Sequence, residues 1–430
     1  MPLQPGRANL QVGWIGLMTN RFRTGLFIFT FSIMNRNLSK VVRMSGKKTR
    51  IIVGLMSGTS MDGLDVALCA VSGAGLKTKI KLLQFVTVPY SPETRSALAT
   101  VFAKRQVDFE QLCLLNPRLA RLHAEIILSC LKKWKVPATR VDLIASHGQT
   151  VFHAPAFQHP EVPGNATLQI GDGDHLAVAT GIITISDFRQ KHIAKGGEGA
   201  PLAVYGDYLL LTHPRENRIL LNVGGIGNFT FLPAGRDASK VFVTDTGPGN
   251  TLLDQMVRKQ MPGMYFDRDS AISRKGTIHG GLLQALKSHS FFQLPLPRTT
   301  GPELFNLEYV QAAQQKSGTS DLPFADVMST LTRFTSETIA DAIRKVVGKR
   351  KFEIYVSGGG RHNPLMVEQI QFLLNGPAIR STDELGIPGD AKEAMLFAVL
   401  ANETIAGKAI PFGKRSGIPG VTMGKISFPE

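Results

Sequence analysis

The sequence is poor in cysteine and lacks several residue patterns that mark common protein classes. Its 430 residues include only three cysteines, Cys69, Cys113 and Cys130, whose spacing fits neither a zinc site nor a disulfide framework. We therefore expect a reducing, cytoplasmic compartment. No glycine-rich loop carries the Gly-Lys-Ser/Thr ending of a Walker phosphate loop. No RNA-binding aromatic pattern occurs either, which argues against the common nucleic-acid-binding modules.

Acidic residues are absent from the first 50 positions, and this absence explains much of the net charge of +16. That segment holds nine lysines and arginines, so the remainder has 40 basic and 33 acidic residues. A moderate excess of this size suits an enzyme that binds anionic substrates better than a nucleic-acid-binding protein. We expect no nucleic-acid partner.

Residues 1–43 look unrelated to the rest of the chain. Their apolar run, Gly25–Met34, is far shorter than the roughly 20 residues of a membrane span. Basic residues come after this run, and no small-residue cleavage site does. We interpret the segment as the product of a start codon placed too early, with Met44 as the natural start. A targeting or amphipathic extension and a membrane anchor are the alternatives, and we expect no stable membrane association.

The segment Ile51–Val71 predicts two strands joined by the polar loop SGTSMDG. Backbone amides and hydroxyl groups suit phosphate oxygens, and an aspartate suits Mg²⁺ or its water shell. An ordinary tight hairpin is the alternative interpretation of this segment alone.

Four glycine-rich turns each follow an apolar strand, at residues 57–63, 222–228, 245–250 and 357–360. The two halves open alike, and the length allows two domains, so we expect a duplicated α/β architecture with a ligand cleft between the halves. Together the turns fit a nucleotide, and Asp62, Asp65 and Asp245 supply carboxylates for Mg²⁺, bound through water. Helical spacing further predicts helices around 115–130 and 327–346, and a strand at Val141–Ala145 that ends before the motif SHGQT.

From about Arg50 onward the sequence resembles the anhydro-N-acetylmuramic acid kinases, within the acetate/sugar kinase–Hsc70–actin superfamily. Besides the four turns, the resemblance includes SHGQTVFH (146–153), TLQIGDG (167–173), SDFR (186–189), GGEGAPL (196–202), TTGPELFN (299–306) and DAKEAMLFAVLA (390–401). It implies an actin-like, ribonuclease H-like fold with residues 44–190 as one lobe and 191–389 as the other. A helix at about 390–408 would pack back on the first lobe.

The resemblance also implies a reaction. ATP, with Mg²⁺, phosphorylates O6 of 1,6-anhydro-N-acetylmuramic acid while water opens the anhydro bridge, giving N-acetylmuramic acid 6-phosphate in cell-wall sugar recycling. A carboxylate must deprotonate the attacking water. The family further suggests a homodimer.

Asp187 in SDFR matches the aspartate that the resemblance assigns as this base; a helix cap or a partner for Arg189 is the structural alternative. His147, Gln149 and Arg189 are candidates for sugar contact, because we expect the first two just beyond a buried strand. The nucleotide-binding candidates are Gly58, Thr59, Ser60, Met61, Asp62, Gly63, Leu64, Asp65, Gly224, Gly225, Gly247, Gly249, Gly358, Gly359 and Gly360.

Two rival functions stay open. A kinase for another anhydro sugar, such as levoglucosan, would use the same base and ATP site without pockets for the lactyl and N-acetyl groups. A non-catalytic actin-like ATPase would bind nucleotide without a sugar, and the sugar-directed Asp187 argues against it.

Overall fold

The computed structural model describes residues 35–301, 303–413 and 417–430, so the apolar run at 25–34 lies outside the described residues. The chain divides into two compact units, Met1–Gly46 and Lys47–Glu430. In the first unit the described element is helix α1, Arg36–Ser45, which Asn35 caps with its side-chain oxygen.

The second unit contains all the described strands and the other described helices. The strands are β1 Thr49–Ser57, β2 Gly63–Ser72, β3 Lys79–Pro89, β4 Leu143–Ala154, β5 Ala166–Ile170, β6 Thr184–Ser186, β7 Arg218–Val223, β8 Ile226–Leu232, β9 Phe242–Pro248, β10 Glu353–Ser357, β11 Ile379–Ser381 and β12 Lys425–Ser427. The helices are α2 Pro92–Val101, α3 Phe109–Lys133, α4 Gly173–Thr180, α5 Phe188–Ala194, α6 Ala203–Leu211, α7 Thr251–Gln260, α8 Gly280–Lys287, α9 Leu307–Ser317, α10 Phe324–Val347, α11 Pro364–Leu374 and α12 Lys392–Ala406.

Two sheets repeat one topology. In the first, β1, β2 and β3 form an antiparallel meander, and β4 and then β6 continue the sheet in parallel with β1. In the second, β7, β8 and β9 form the meander, and β10 and then β11 continue it in parallel with β7. This repeat confirms the predicted duplicated α/β architecture of the actin-like class. The first sheet also gains β5, paired with β4, and β12, paired with β6.

Each sheet has its own apolar core. The first core joins residues of β1 and β2 to helix α3, with Leu55, Leu64 and Leu119 almost fully buried. The second joins β7 and β8 to the long helix α10, with Phe229 and Phe334 almost fully buried. Helical periodicity therefore predicted both long helices correctly, because the repeated apolar positions face these cores.

Helix α12, although late in the sequence, packs on the first sheet. A Cβ on Gly54 of β1 would lie 2.0 Å from the carbonyl oxygen of Ala394, so glycine is needed for this close approach. At the start of α12, Lys392 Nζ lies 3.0 Å from Asp207 Oδ1 of α6. Thr230 of β8 donates to the other carboxylate oxygen of Asp207 at 2.9 Å. An ion pair between a buried aspartate and a half-buried lysine thus connects a helix on the first sheet to the second sheet.

The prediction for the strand at Val141–Ala145 is wrong at its end. The strand β4 runs from Leu143 to Ala154, so the SHGQT motif lies inside it. One edge of the strand pairs with β1 from Leu143 to Gln149, with a register shift after Ser146. The other edge pairs with β6 as far as Ser146 and, after Gly148, whose φ of 72° bends the backbone, with β5. His147 and Gln149 are therefore strand residues with buried side chains, and they do not lie beyond the strand.

In the part of the chain that the structure describes, no helix has both the length and the apolar character that crossing a bilayer would require.

Candidate active site

The loop between β1 and β2 leaves two hydroxyl groups at the surface. Thr59 and Ser60 are exposed, and Met61 takes the left-handed conformation with a φ of 55°. The Ser60 hydroxyl donates to Asp62 Oδ1 at 2.8 Å. By contrast, the Leu64 side chain is fully buried in the first core, so only its backbone could meet a ligand. The predicted nucleotide segment thus divides into an exposed turn, residues 58–62, and a buried strand.

A large cleft begins at this loop. It has a volume of about 1320 Å³ and is lined by Thr59, by Thr150–His153 of β4, and by the connection that contains Arg298 and Thr300. Glu198 and Glu303 also line it. Residues of the first sheet and its loop therefore face residues of the connection that comes after β9 of the second sheet, around one space. This arrangement agrees with the predicted cleft between the two halves.

The predicted magnesium ligands fall into two groups. Burial raises the pKa of Asp65, and the charges of Asp62 and Asp390 raise it further. Thr87 donates to Asp65 Oδ1 at 2.6 Å and opposes this rise. Among the described residues, no set of three or more histidine, cysteine, aspartate or glutamate side chains is arranged to hold a metal ion. Asp62 and Asp65 still fit Mg²⁺, which usually takes one or two carboxylates together with water and phosphate oxygens.

Asp245, the third predicted ligand, has different neighbours. Its Oδ2 accepts from the backbone N–H of Thr300 at 2.8 Å, and its own N–H donates to the carbonyl of Arg298 at 3.0 Å. The pKa of Asp245 is raised to about 7, mainly by burial and also by the charge of Glu198, while the hydrogen bond from Thr300 and the charge of Arg298 oppose the rise. A carboxyl group beside a cleft with a pKa near 7 can hold or release a proton at neutral pH, which suits acid–base chemistry.

The glycine-rich turns of the second sheet contact one another. The backbone N–H of Gly249 donates to the carbonyl of Gly225 at 2.8 Å, which brings the turn after β9 onto the turn after β7. A Cβ on Gly358 would lie 2.6 Å from the carbonyl oxygen of Val223, and one on Gly360 would lie 2.3 Å from Val223 Cγ1. The turn after β10 therefore packs on Val223, next to the turn after β7. Three turns separated in sequence form one surface, here called the glycine cluster.

Three other predicted glycines differ from one another. Gly224 accepts from the backbone N–H of Asn250 at 2.8 Å and so belongs to the glycine cluster. Gly359 lies there too, and a Cβ on it would meet only Asn250 Nδ2, at 3.6 Å. Gly247 lies within β9 with a φ of 140°, and a Cβ on it would lie 3.0 Å from Phe292. Packing alone therefore accounts for a glycine at position 247.

Asp187 lies apart from the large cleft. It stands at the beginning of α5 in the left-handed conformation, with a φ of 52°, and its side chain does not cap the helix. Lys425 Nζ lies 2.5 Å from Asp187 Oδ2. A separate cavity of about 190 Å³ contains both residues, along with Asn116, Ser146 and Asp172. All the residues that line this cavity come from the first sheet and the helices and turns next to it.

Arg189 is held by neutral groups. Its Nε donates to His147 Nε2 at 3.0 Å, and its Nη1 donates to the carbonyl of Gly199 at 2.7 Å. Burial lowers the pKa of Arg189 to about 10, and burial together with Arg189 lowers the pKa of His147 to about 3. His147 is therefore neutral, and the charge of Glu393 partly offsets the effect of burial on the pKa of Arg189. The structural alternative of an Arg189–Asp187 pair is not what these hydrogen bonds show.

Gln149 is used inside the protein. Its Oε1 accepts from the Ser57 hydroxyl at 2.5 Å, and its Nε2 donates to the Gly58 carbonyl at 3.1 Å. The side chain thus holds the beginning of the exposed loop.

Several residues around the cleft were not singled out from the sequence. Glu198, Arg298, Thr300 and Glu303 lie in or beside the segments 196–202 and 299–306, which carry the family resemblance. That resemblance was the available signal for three of them, but it gave no chemical reason to choose individual residues. Lys425 had no signal at all, because its partner Asp187 is remote in sequence.

Comparisons with known proteins show the family of the chain. A sequence model of the family described as anhydro-N-acetylmuramic acid kinase matches residues 50–422. An anhydro-N-acetylmuramic acid kinase of Pseudoalteromonas atlantica is 55% identical over 401 residues, which cover 92% of this chain and 100% of that protein. The one from Pseudoalteromonas translucida is 50% identical over 403 residues, and covers 92% and 100%. The one from Caldanaerobacter subterraneus is 38% identical over 396 residues, and covers 91% and 100%. The chain therefore belongs to the anhydro-N-acetylmuramic acid kinase family.

Proposed function

We propose that the protein is an ATP-dependent kinase that opens the ring of 1,6-anhydro-N-acetylmuramic acid and phosphorylates it at O6. Family membership over nearly the whole described chain supports the kinase and its sugar. The single observation that carries the chemistry is the cleft in which a hydroxyl-bearing loop at Thr59 and the surroundings of Asp245 meet.

The reaction is set by the needs of its atoms. A water oxygen attacks the anomeric carbon and gives its proton to a carboxylate, the C1–O6 bond breaks, and O6 takes the γ-phosphoryl group of ATP. The products are N-acetylmuramic acid 6-phosphate and ADP. When bound, Mg²⁺ would neutralise charge on the phosphates, with Asp62 and Asp65 as its protein partners.

Two carboxylates compete for the role of the base. The family resemblance proposes Asp187, which is ion-paired with Lys425 in a cavity of about 190 Å³ outside the large cleft. The second candidate is Asp245, which bonds to Arg298 and Thr300 of the cleft lining and whose pKa burial raises to about 7. Asp187 remains our proposal for the base; if Asp245 takes that role instead, it does not serve as a magnesium ligand.

The nucleotide-binding and sugar-binding residues are also proposals. The exposed loop at 58–62 would bind phosphates, and the glycine cluster would let the ribose and adenine approach the backbone closely. His147, Gln149 and Arg189 would line or support the sugar site; for Gln149, the bonds to Ser57 and Gly58 favour support. We also retain the division into lobes at 44–190 and 191–389, the cytoplasmic location, the homodimer and the role in cell-wall sugar recycling as proposals.

The test is a phosphorylation assay with purified protein, ATP and Mg²⁺. Anhydro-N-acetylmuramic acid should be phosphorylated, and levoglucosan, assayed beside it, should be a poor substrate. In water labelled with ¹⁸O, the label should appear at the anomeric hydroxyl. A product without label would exclude attack by water, and equal turnover of levoglucosan would favour the rival kinase function.

A further inference from the structure

The exposed loop at residues 58–62, here called the phosphate loop, is held by a chain of buried hydrogen bonds that the proposed reaction does not use. Four side chains form it, His123, Tyr90, Ser57 and Gln149, and each is at most 6% exposed. Tyr90 Oη lies 2.8 Å from Ser57 Oγ and 2.8 Å from His123 Nε2. From Ser57 the chain continues through Gln149 to the carbonyl of Gly58, in the loop itself.

The chemistry of these groups fixes the direction of every bond. The carbonyl of Gly58 only accepts, so Gln149 must present its NH₂ group there and its oxygen toward Ser57. The Ser57 hydroxyl must therefore donate to Gln149, and its lone pair is left to accept from Tyr90. Since the single phenol hydrogen of Tyr90 is then used, the remaining bond must be donated by His123.

The position of the proton on His123 agrees with this order. With hydrogen on Nε2, the other ring nitrogen is a bare acceptor, and Nδ1 of His123 is indeed buried without a hydrogen-bond partner among the described residues. The opposite tautomer would bury an unpaired N–H, which costs more than an unpaired acceptor. Burial also lowers the pKa of His123 to about 4, so the ring is neutral at physiological pH.

Tyr90 holds the loop at both ends. Its hydroxyl contacts Ser57, the last residue of β1, and its backbone N–H donates to the carbonyl of Asp62 at 2.9 Å. Between these points Thr59 and Ser60 are exposed. A loop held in this way loses less conformational entropy when it binds a ligand than a free loop would.

We propose that Tyr90 is a positioning residue for the phosphate loop, acting through Ser57 and Gln149 and itself oriented by His123. This inference rests on the proposed function for the statement that the ligand is ATP. It assigns Tyr90 no contact with the reacting atoms.

The test compares two tyrosine variants. Tyr90→Phe removes only the hydroxyl group and keeps the ring that stacks on His123. Tyr205→Phe is the matched control: its hydroxyl is also part of a buried residue, but it donates to the carbonyl of Pro419, at 2.5 Å, away from the loop. We expect Tyr90→Phe to weaken ATP binding about tenfold, equivalent to about 1.4 kcal/mol, and Tyr205→Phe to leave it unchanged.

Two readouts separate positioning from general destabilisation. The dissociation constant for ATP is measured by calorimetry without sugar, and the KM values for ATP and for sugar are measured separately. Positioning predicts a rise in the ATP values with the KM for sugar within about twofold of wild type. Equal ATP affinity in the two variants, or parallel rises in both KM values, would overturn the inference.

Ser57→Ala provides the second variant. If Tyr90 acts through Ser57, the effects of the two substitutions on ATP affinity should be less than additive in the double variant, and full additivity would refute the chain. Should Tyr90→Phe fail to fold, Ser57→Ala alone decides: unchanged ATP affinity contradicts the inference. Because these readouts use ATP alone, they remain valid if anhydro-N-acetylmuramic acid proves not to be the substrate.

Discussion

Replacing Asp245 by asparagine should make the protein more stable, by an amount that increases with pH, and should abolish activity if Asp245 is the base. The carboxyl has an ordinary pKa of 3.8 in the unfolded chain and a pKa of about 7 in the folded protein, mainly because of burial. Asparagine has the same shape and can still accept from the backbone N–H of Thr300. The substitution therefore removes the charge and keeps the main hydrogen bond.

The sign depends on which state binds the proton more tightly. The folded protein does, so the contribution of Asp245 to stability is greatest at low pH and falls as the pH rises from about 4 to about 7. Each pKa unit is worth about 1.4 kcal/mol, so at pH 8 the ionised carboxylate costs the folded state at most about 4 kcal/mol. At about pH 5.5 the cost is about 2 kcal/mol, because only part of this range has been crossed. The stability gained by Asp245→Asn should therefore be about 2 kcal/mol larger at pH 8 than at pH 5.5.

Urea unfolding of both proteins at the two pH values measures this difference. Any constant loss of packing or hydrogen bonding in the variant cancels between the two pH values. If the difference in unfolding free energy is the same at both, Asp245 does not have a raised pKa and the reasoning fails.

Activity completes the prediction. If Asp245 is the base, kcat should fall by about 10²- to 10⁴-fold in the variant. In the wild type, kcat/KM should rise about tenfold per pH unit below about pH 7. The control is Asp254→Asn on α7. Burial also raises the pKa of Asp254, to about 6, but Asp254 pairs with Arg258, whereas Asp245 bonds to Arg298 and Thr300 of the cleft lining. For Asp254→Asn, the stability gained over wild type should also increase with pH, while the activity should stay at the wild-type level.

Three further results are expected. Asp187→Asn should nearly abolish turnover with ATP binding intact if Asp187 is the base, whereas turnover at the wild-type level would exclude it from that role. Gly358→Ala should weaken ATP binding and lower the melting temperature, since its φ is 83° and the new Cβ would lie 2.6 Å from the Val223 carbonyl, while Gly359→Ala should be tolerated in thermal melts. Chelation of Mg²⁺ with EDTA should stop the reaction, and Asp65→Asn should raise the Mg²⁺ concentration needed for half-maximal rate, which a titration of rate against Mg²⁺ would show.

Local pattern predicted the elements well and their contacts poorly. Both hairpins, both long helices and the repeat of the two halves could be predicted because apolar periodicity and glycine-rich turns report local backbone structure. The end of β4 was missed because Gly148 lets one edge of the strand change partners, from β6 to β5, without ending the strand. Pairing between strands is a long-range property that no local pattern contains.

In the candidate site, too, residue types could be predicted from the sequence but their surroundings could not. Asp245 was identified as a carboxylate at the end of a strand, but its raised pKa arises from burial and from the segment around Thr300, more than 50 positions away. For the same reason the buried chain from His123 to Gly58 could not be anticipated. Chemical type is written in the sequence, whereas desolvation and neighbours depend on the folded chain.

The late position of β12 has a consequence for synthesis on the ribosome. All five strands of the second sheet lie between Arg218 and Ser381, so that sheet can assemble as soon as this stretch has emerged. The first sheet begins earlier but must wait for α12 and for β12, whose pairing with β6 closes a very long loop. Until then β6 has an open edge, a site where a nascent chain can pair wrongly. The half of the protein that is made first is thus the half that is finished last.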